Sequence, residues 1–225
     1  MILFGATGMV GQGVLRECVL DREVTAVVSV VRKATAPGLG RRSEKVREVV
    51  AADLADLSRV EGELMGYDAC LFCVGVSAVE MKEAEYRRVT FEMTTSAART
   101  LLRVNPTSVY GDGMTFLYVS GAGTNSNGRA MWARVKGETE DWLLSMGFKA
   151  AYMFRPGMIV PRDGIVSKTG WYRGMYAAMR PVLPMLLRMF PKHVTTTDQM
   201  GRAMLAVAKH GYAKQVLEAG DIAGV

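Results

Sequence analysis

Residues 2–11 read Ile2-Leu3-Phe4-Gly5-Ala6-Thr7-Gly8-Met9-Val10-Gly11, an apolar run followed by three evenly spaced glycines. The apolar run is typical of a buried strand, and the residues after Gly8 have the spacing of an amphipathic helix. Glycines at such a junction let the backbone turn tightly and approach a pyrophosphate, whose charge the helix N-terminus stabilises. The stretch therefore predicts a turn that binds a dinucleotide. The alternative is a tight structural turn with no ligand.

The remainder of the chain repeats this alternation of short apolar runs and longer amphipathic stretches, which predicts βαβ units. The predicted fold class is α/β: a doubly wound parallel sheet, the Rossmann fold, with helices on both faces. Thr196 and Gln199 predict a capping box at the start of the last long helix. The predicted strands lie near 1–6, 25–31, 46–51, 68–74, 114–120, 149–155 and 213–217, and the predicted helices near 9–20, 57–65, 82–104, 130–146 and 197–209.

Residues 156–192 interrupt the alternation, since they hold five of the seven prolines and five of the sixteen methionines. We predict one domain over residues 1–225, with 156–192 as a small insertion on the substrate side, at the C-terminal edge of the sheet. Apolar, aromatic and arginine side chains in 165–192 leave three functions open: a substrate lid, an interaction or dimer surface, and a weak membrane-surface contact. The chain is expected to be a monomer or a homodimer.

Composition limits the possible partners and compartments. The net charge of +6 comes largely from basic residues in 32–47 and 155–192, without the alternation of aromatic and basic residues that would indicate nucleic acid binding. No uncharged apolar run approaches the roughly 18 residues of a membrane span. Three cysteines give no disulfide framework and fit a reducing compartment, so we predict a cytoplasmic protein with a small-molecule partner.

Cys70 and Cys73 have the spacing of half a zinc or redox motif. Side chains three residues apart in a strand point to opposite faces, however. We therefore interpret both as core cysteines and predict no metal site.

The residues after the second predicted strand indicate which dinucleotide is bound. NAD-binding sites usually carry an acid there, about 20 residues beyond the glycines, which binds the ribose hydroxyls. This chain has Arg32 and Lys33 instead. Because a guanidinium can bind a 2′-phosphate through paired hydrogen bonds, the pattern favours NADP(H) over NAD(H). The alternative is that both are solvated charges at the end of a strand.

Further motifs follow the other strands in a characteristic order. They are Asp53-Leu54, Val74-Gly75-Val76-Ser77, Val119-Ser120-Gly121-Ala122, Lys136-Gly137-Glu138-Thr139-Glu140 and Arg155-Pro156-Gly157. With the glycine loop, they make the chain resemble the short-chain dehydrogenase/reductase superfamily, in its atypical branch with NmrA-like, Tat-interacting oxidoreductase-like and NAD-dependent epimerase-like proteins. The resemblance spans essentially the whole chain.

The resemblance implies a set of cofactor-binding residues. Asp53 and Leu54 would flank the adenine, residues 74–76 would cover the adenosine ribose, and Pro156 and Gly157 would lie near the nicotinamide. Alternatively, Asp53 could cap a helix and Gly75 could serve only as a strand-end turn. The complete predicted set is Gly5, Thr7, Gly8, Met9, Val10, Gly11, Arg32, Lys33, Asp53, Leu54, Val74, Gly75, Val76, Lys136, Pro156 and Gly157.

Catalytic members of the superfamily use a serine that binds the substrate oxygen, a tyrosine that transfers the proton, and a lysine four residues after the tyrosine. Ser120 and Lys136 match that pattern, but Trp132 stands at the tyrosine position. An indole N–H donates a hydrogen bond and does not exchange a proton near neutral pH. Trp132 could stack on a ligand or pack in the core, and Tyr172 or Tyr176 could supply the proton. Alternatively, a quinone-like acceptor could accept a hydride and take its proton from water.

Two functions from different classes follow. The first is an NADPH-dependent oxidoreductase acting on a small apolar carbonyl- or quinone-like substrate. The second is a non-catalytic NADPH-binding regulator or redox sensor, which the tryptophan at the tyrosine position favours. The epimerase or dehydratase chemistry of extended relatives also relies on the missing tyrosine and ranks last.

Overall fold

A computed structural model describes residues 1–35, 43–107, 112–162, 165 and 194–225. Within these ranges, the strands are β1 (Ile2–Phe4), β2 (Val27–Val31), β3 (Val46–Val50), β4 (Ala69–Phe72), β5 (Thr115–Val119), β6 (Ala150–Arg155), β7 (Met158–Val160), β8 (Val194–Thr196) and β9 (Val216–Glu218). The helices are α1 (Met9–Leu20), α2 (Glu83–Arg87), α3 (Met93–Val104), α4 (Met131–Leu144), α5 (Thr197–His210) and α6 (Ala219–Gly224). A π-helical turn, Arg88–Glu92, joins α2 to α3.

Seven strands form one parallel sheet in the order β3-β2-β1-β4-β5-β6-β9. The chain first builds outward from β1 to β3 and then crosses back to β4, so the strand order reverses between β1 and β4. In open α/β sheets, ligands bind at such a switch point, outside the carboxyl ends of the strands. The predicted doubly wound parallel sheet is confirmed.

The central strands of the sheet are buried on both faces, as their nearly continuous apolar sequences predict, whereas the edge strand β3 is mostly half-buried or exposed. One face carries the phenylalanine cluster, in which Phe4, Phe72 and Phe116 pack with centroid separations of 5.1 and 5.8 Å beneath α3 and α4. The alternate residues of the same strands form the leucine cluster, in which Leu3, Leu71 and Leu117 pack against α1 and α5. Helices therefore cover both faces.

The two core clusters also explain the cysteines. Cys70 belongs to the phenylalanine cluster, and Cys73 packs against the leucine cluster. Burial raises the pKa of both thiols above the ordinary value. The interpretation as core cysteines on opposite faces is confirmed.

Glycines bring α1 and α5 close together beneath the glycine loop. A Cβ at Gly13 would lie 2.5 Å from the Thr197 carbonyl oxygen, and one at Gly201 would lie 3.0 Å from the Gly13 carbonyl oxygen. Thr196 and Gln199 form the predicted capping box at the start of α5. The start of α1, which carries the loop, is thus held against a well-capped helix.

The helix predicted at 57–65 was wrong, because only a short 3₁₀ turn, Glu61–Leu64, is present there. Asp53 and Asp56 each accept a hydrogen bond from the backbone N–H two residues later, at 2.9 and 3.0 Å. Such local bonds favour turns over a helix. The small parallel sheet β7-β8 was not predicted, since it pairs strands from distant parts of the sequence.

Much of the predicted insertion at 156–192 lies outside the described residues, as do Tyr172 and Tyr176. The described start of this segment contains β7. Nowhere in the ranges given above is a helix both long enough and apolar enough to cross a membrane.

Candidate functional site

The glycine loop lies at the switch point, between the end of β1 and the start of α1. Gly5 has φ +82°, and a Cβ there would lie 2.6 Å from the Cys73 carbonyl oxygen. A Cβ at Gly11 would lie 2.1 Å from the Gly5 carbonyl oxygen. Both positions therefore require glycine for reasons of conformation or packing. The Gly8 N–H donates to the Gly5 carbonyl at 2.9 Å, which closes the turn.

At two other glycines of the site, packing within the protein does not strictly require the absence of a side chain. Gly8 has an ordinary φ of −82°, and a Cβ there would contact only the Gly5 carbonyl oxygen, at 3.3 Å. A Cβ at Gly75, after β4, would meet no described atom within 4 Å. These glycines lie where the predicted cofactor would approach the backbone, at the α1 N-terminus and beside the adenosine ribose. The open Cβ position at Gly75 fits a bound dinucleotide, whereas at Gly8 the Gly5 carbonyl oxygen would slightly crowd a Cβ.

The charge at the loop also suits a pyrophosphate. Helix α1 begins at Met9 with no acidic residue in its first turn and no side-chain cap. Thr7, Met9 and Val10 are half-buried beside the loop. Free N–H groups and the positive end of the helix dipole therefore face the place where phosphate is expected.

Arg32 and Lys33 follow β2 directly, at the same edge of the sheet, and both are exposed. Neither makes a hydrogen bond or ion pair with any residue that the structure describes. The nearby acid Glu48 accepts a hydrogen bond from the Thr35 backbone N–H at 3.2 Å and another from the Thr35 hydroxyl. Two exposed cations, with no partner among the residues that the structure describes, thus lie next to the expected position of the adenosine ribose.

The remaining predicted cofactor residues lie along the same edge. Asp53 is exposed after β3, whereas Leu54 is buried in the phenylalanine cluster. Val74 is half-buried and Val76 is 40% exposed after β4. After β6, the Pro156 carbonyl accepts a hydrogen bond from the Ala122 N–H at 2.8 Å, and Gly157 is half-buried.

Ser120 and Lys136 meet at the end of β5, as the motif predicts. The Lys136 ammonium donates to the backbone carbonyl of Ser120. The Ser120 hydroxyl is directed inward: it donates to the Glu140 carboxylate and lies 3.2 Å from the Phe154 carbonyl. In this arrangement, Ser120 anchors the site and does not present its hydroxyl to the cleft, the region outside the carboxyl ends of the strands where a ligand is expected.

Glu140 lies at this site, although its position was not predicted from the sequence. Its carboxylate is almost fully buried and accepts hydrogen bonds from Arg155 Nε at 3.1 Å to each oxygen. Arg155 also pairs with Glu218 on the adjacent strand β9, at 3.0 Å. The available signal was spacing, since Glu140 follows Lys136 by four residues and shares its face of α4. The network ties Ser120 and α4 to β6 and β9.

The local environment changes the acidity of two groups at this site. Burial lowers the pKa of Lys136 to about 8, although the nearby Glu140 carboxylate acts in the opposite direction. Burial also raises the pKa of the Tyr118 phenol well above its usual range. Tyr118 is 1% exposed and contacts the core, so it cannot exchange a proton with a ligand in the cleft.

Trp132 lies on α4 one turn before Lys136 and is half-buried. Its Cη2 would lie 3.3 Å from a Cβ placed at Gly123, which has φ +83°. The indole therefore rests against the loop that follows β5 and does not belong to either core cluster among the described residues. This position leaves part of the ring available to a ligand.

Comparisons with known proteins agree with this geometry. The protein FMP52, mitochondrial, of Candida albicans is 22% identical over 160 residues, which cover 70% of this chain and 66% of that protein. FMP52-2, mitochondrial, of Scheffersomyces stipitis is 26% identical over 160 residues, covering 70% and 65%. The chain thus spans slightly less than two thirds of the length of these relatives.

Solved structures share the fold across nearly the whole chain. The PhqB reductase domain of Penicillium fellutanum has a TM-score of 0.70 at 17% identity, covering 98% of this chain and 66% of that one. A short-chain dehydrogenase/reductase family oxidoreductase of Burkholderia thailandensis has a TM-score of 0.68 at 17% identity, covering 99% and 92%. WbmF of Bordetella bronchiseptica, solved with NAD⁺, has a TM-score of 0.67 at 14% identity, covering 99% and 76%.

The cytoplasmic prediction is wrong. Three related proteins, from Candida albicans, Scheffersomyces stipitis and Aspergillus niger, are each named as mitochondrial. The prediction rested on free cysteines, which indicate a reducing environment and do not distinguish one reducing compartment from another.

The family follows from sequence and geometry together. The glycine loop at the switch point and the Ser120–Lys136 pair at the end of β5 are the features on which the resemblance to short-chain dehydrogenases/reductases rests, although Trp132 stands at the tyrosine position. The family model for NAD dependent epimerases and dehydratases matches residues 1–130, more than half of the chain. The chain therefore belongs to the NAD dependent epimerase/dehydratase family.

Proposed function

We propose that the protein binds NADPH in preference to NADH and reduces a small, fairly apolar carbonyl- or quinone-like substrate. The observation that carries the cofactor preference is the pair of exposed cations, Arg32 and Lys33, at the end of β2, where NAD sites usually have an acid. Neither cation has a partner among the described residues, so both are available to a 2′-phosphate.

The residues that would hold the dinucleotide line one edge of the sheet. The glycine loop and the α1 N-terminus would hold the pyrophosphate, Asp53 and residues 74–76 the adenosine, and Pro156 and Gly157 the nicotinamide. Lys136 would bind the nicotinamide ribose, and Ser120 would keep Lys136 in place through its carbonyl. When bound, the reduced cofactor supplies a hydride to the substrate.

The substrate class is inferred from the groups at the nicotinamide end of the cleft. Trp132 offers an aromatic surface, and the Lys136 ammonium offers a hydrogen-bond donor. A flat, apolar molecule with a carbonyl oxygen can use both. The aromatic surface also suits a regulator that binds NADPH without turnover, the second function, because Trp132 occupies the position of the usual proton donor.

The cofactor preference is tested by calorimetric titration of NADPH and NADH into the wild type, Arg32→Glu and Arg22→Glu. Arg22 is an exposed arginine preceding the opposite end of β2, so its variant has the same charge change away from the site. A charge-assisted hydrogen bond contributes about 1.5–3 kcal/mol. Arg32→Glu should therefore weaken NADPH binding roughly 10- to 100-fold and leave NADH binding less affected.

Equal NADPH affinities in Arg32→Glu and Arg22→Glu would contradict the assignment of the 2′-phosphate to Arg32.

The reductase and regulator functions are separated by measuring NADPH oxidation through its absorbance at 340 nm. Oxidation of NADPH with 9,10-phenanthrenequinone or 4-nitrobenzaldehyde indicates a reductase, and tight binding without oxidation by any member of a wide carbonyl and quinone panel favours the regulator.

A further inference from the structure

Reduction of a carbonyl needs a proton as well as a hydride, and the usual tyrosine is absent. Trp132 has no proton to exchange near neutral pH. Tyr118 is buried in the core. Among the described residues that meet at the end of β5, Lys136 is the group that carries a transferable proton and lies beside the cleft.

Gly121 leaves open space next to that ammonium. A Cβ at Gly121 would meet one described heavy atom within 4 Å, the Nζ of Lys136 at 3.6 Å. One N–H of the ammonium is used by the Ser120 carbonyl. No residue that the structure describes accepts a hydrogen bond from the other two N–H groups of the ammonium. A substrate oxygen can therefore occupy the space above Gly121, at hydrogen-bond distance from Nζ.

Trp132 borders the same space. Its indole lies 3.3 Å from the Cβ position of Gly123, so the indole and the Lys136 ammonium both lie against the loop 121–123. Trp132 and Lys136 are four residues apart on α4 and share a face. A flat substrate lying against the indole would place an oxygen toward Nζ.

We propose that Lys136 itself protonates the substrate oxygen, in place of the missing tyrosine; this rests on the proposed reductase function. The carbonyl carbon accepts a hydride from the reduced nicotinamide while the carbonyl oxygen accepts a proton from Nζ of Lys136. The products are an alcohol, the oxidised nicotinamide and a neutral lysine amine, and the amine regains its proton from water.

The charges around Lys136 are compatible with this role. Burial brings the pKa of its ammonium to about 8, and Glu140 on α4 opposes that decrease. Glu140 is itself paired with Arg155 from β6. Tyr118 from β5 is fully buried and interacts electrostatically with Glu140. On the α2 side, Arg87 pairs with Glu138. An acid with a pKa near the working pH transfers protons efficiently.

The proposal predicts how the rate depends on pH. The reaction uses the protonated amine, so kcat should be constant at low pH and decrease as the pH rises through the pKa of Lys136 in the complex. In [ε-¹³C]lysine-labelled protein, one NMR signal should titrate near pH 8 and should be missing from Lys136→Met.

The test uses Lys136→Arg, Lys136→Met and the control Lys149→Met, which removes an exposed lysine near the opposite end of the sheet. The probes are NADPH with 4-nitrobenzaldehyde and with 9,10-phenanthrenequinone. Arginine keeps the positive charge for the ribose and does not release a proton. Lys136→Arg should retain NADPH affinity within about threefold, yet both Lys136 variants should lose 10²- to 10⁴-fold in kcat, the usual contribution of a general acid.

The outcomes separate the two proposals. Failure of the wild type to oxidise NADPH with either probe, although NADPH binds, would remove the reductase function and this inference with it. If the wild type turns over and Lys136→Arg keeps an undiminished kcat, the reductase function stands, and the role of Lys136 as proton donor is overturned. A wild-type kcat that does not change between pH 6 and 10, or the absence of a lysine signal that titrates near 8, would also overturn it.

Discussion

Replacing Arg155 with methionine tests whether the buried network at the end of β5 and β6 holds the site together. Glu140 is 1% exposed and receives hydrogen bonds from the Arg155 guanidinium and from the Ser120 hydroxyl. Arg155→Met leaves this carboxylate buried with one uncharged donor. Removing one partner of a buried ion pair costs about 3–5 kcal/mol, so we expect the free energy of unfolding to decrease by that amount.

The assay is urea unfolding at pH 7, with thermal unfolding as a second probe. For a domain of this size, 1 kcal/mol corresponds to roughly 2–4 °C, so the melting temperature should decrease by about 10 °C. The double variant Arg155→Met/Glu140→Gln should recover much of the loss, because the buried negative charge is then absent. As a control, Arg103→Met breaks an ion pair in which the arginine side chain is 63% exposed, and it should change stability by less than about 1 kcal/mol.

A decrease for Arg155→Met no larger than that of Arg103→Met would refute the reasoning. So would a double variant that is less stable than Arg155→Met alone. Either result would mean that the carboxylate is solvated or paired differently, and that Ser120 and Lys136 do not depend on this network.

Further predictions concern the glycines of the cofactor site. Gly11→Ala places a methyl group 2.1 Å from the Gly5 carbonyl oxygen, so calorimetry should detect no NADPH binding and stability should decrease by about 3 kcal/mol or more; normal binding would show that the loop is not the phosphate site. Gly75→Ala meets no described atom within 4 Å, so its melting temperature should match the wild type within about 2 °C, whereas NADPH affinity should weaken several-fold through contact with the ribose. Unchanged affinity would exclude Gly75 from the site.

The strands and the glycine loop could be predicted from local sequence, because apolar runs such as Val27–Val31 and Ala69–Phe72 leave few alternatives to a buried parallel strand. The helix expected at 57–65 failed for a local reason, since Asp53 and Asp56 bond to their own turns. Side-chain hydrogen bonding of this kind competes with helical propensity.

The network around Glu140 could not be predicted in the same way. Glu140 and Arg155 belong to α4 and β6, and Glu218 enters from β9, which is 63 residues beyond Arg155. Their contact depends on the sheet order, which places β9 next to β6. The sequence motif identified Ser120 and Lys136, but only the structure shows that the Ser120 hydroxyl is directed toward Glu140.

Thermal unfolding of the wild type with NADPH, with NADH and without ligand tests most directly the claim that the glycine loop holds a dinucleotide with a 2′-phosphate. A ligand at 100 times its dissociation constant adds about 2.7 kcal/mol of stability, which corresponds to an increase of roughly 5–10 °C in the melting temperature. We predict that increase with NADPH and a clearly smaller one with NADH at the same concentration. Equal increases would contradict the assignment of Arg32 and Lys33, and no increase with either would contradict the dinucleotide site itself.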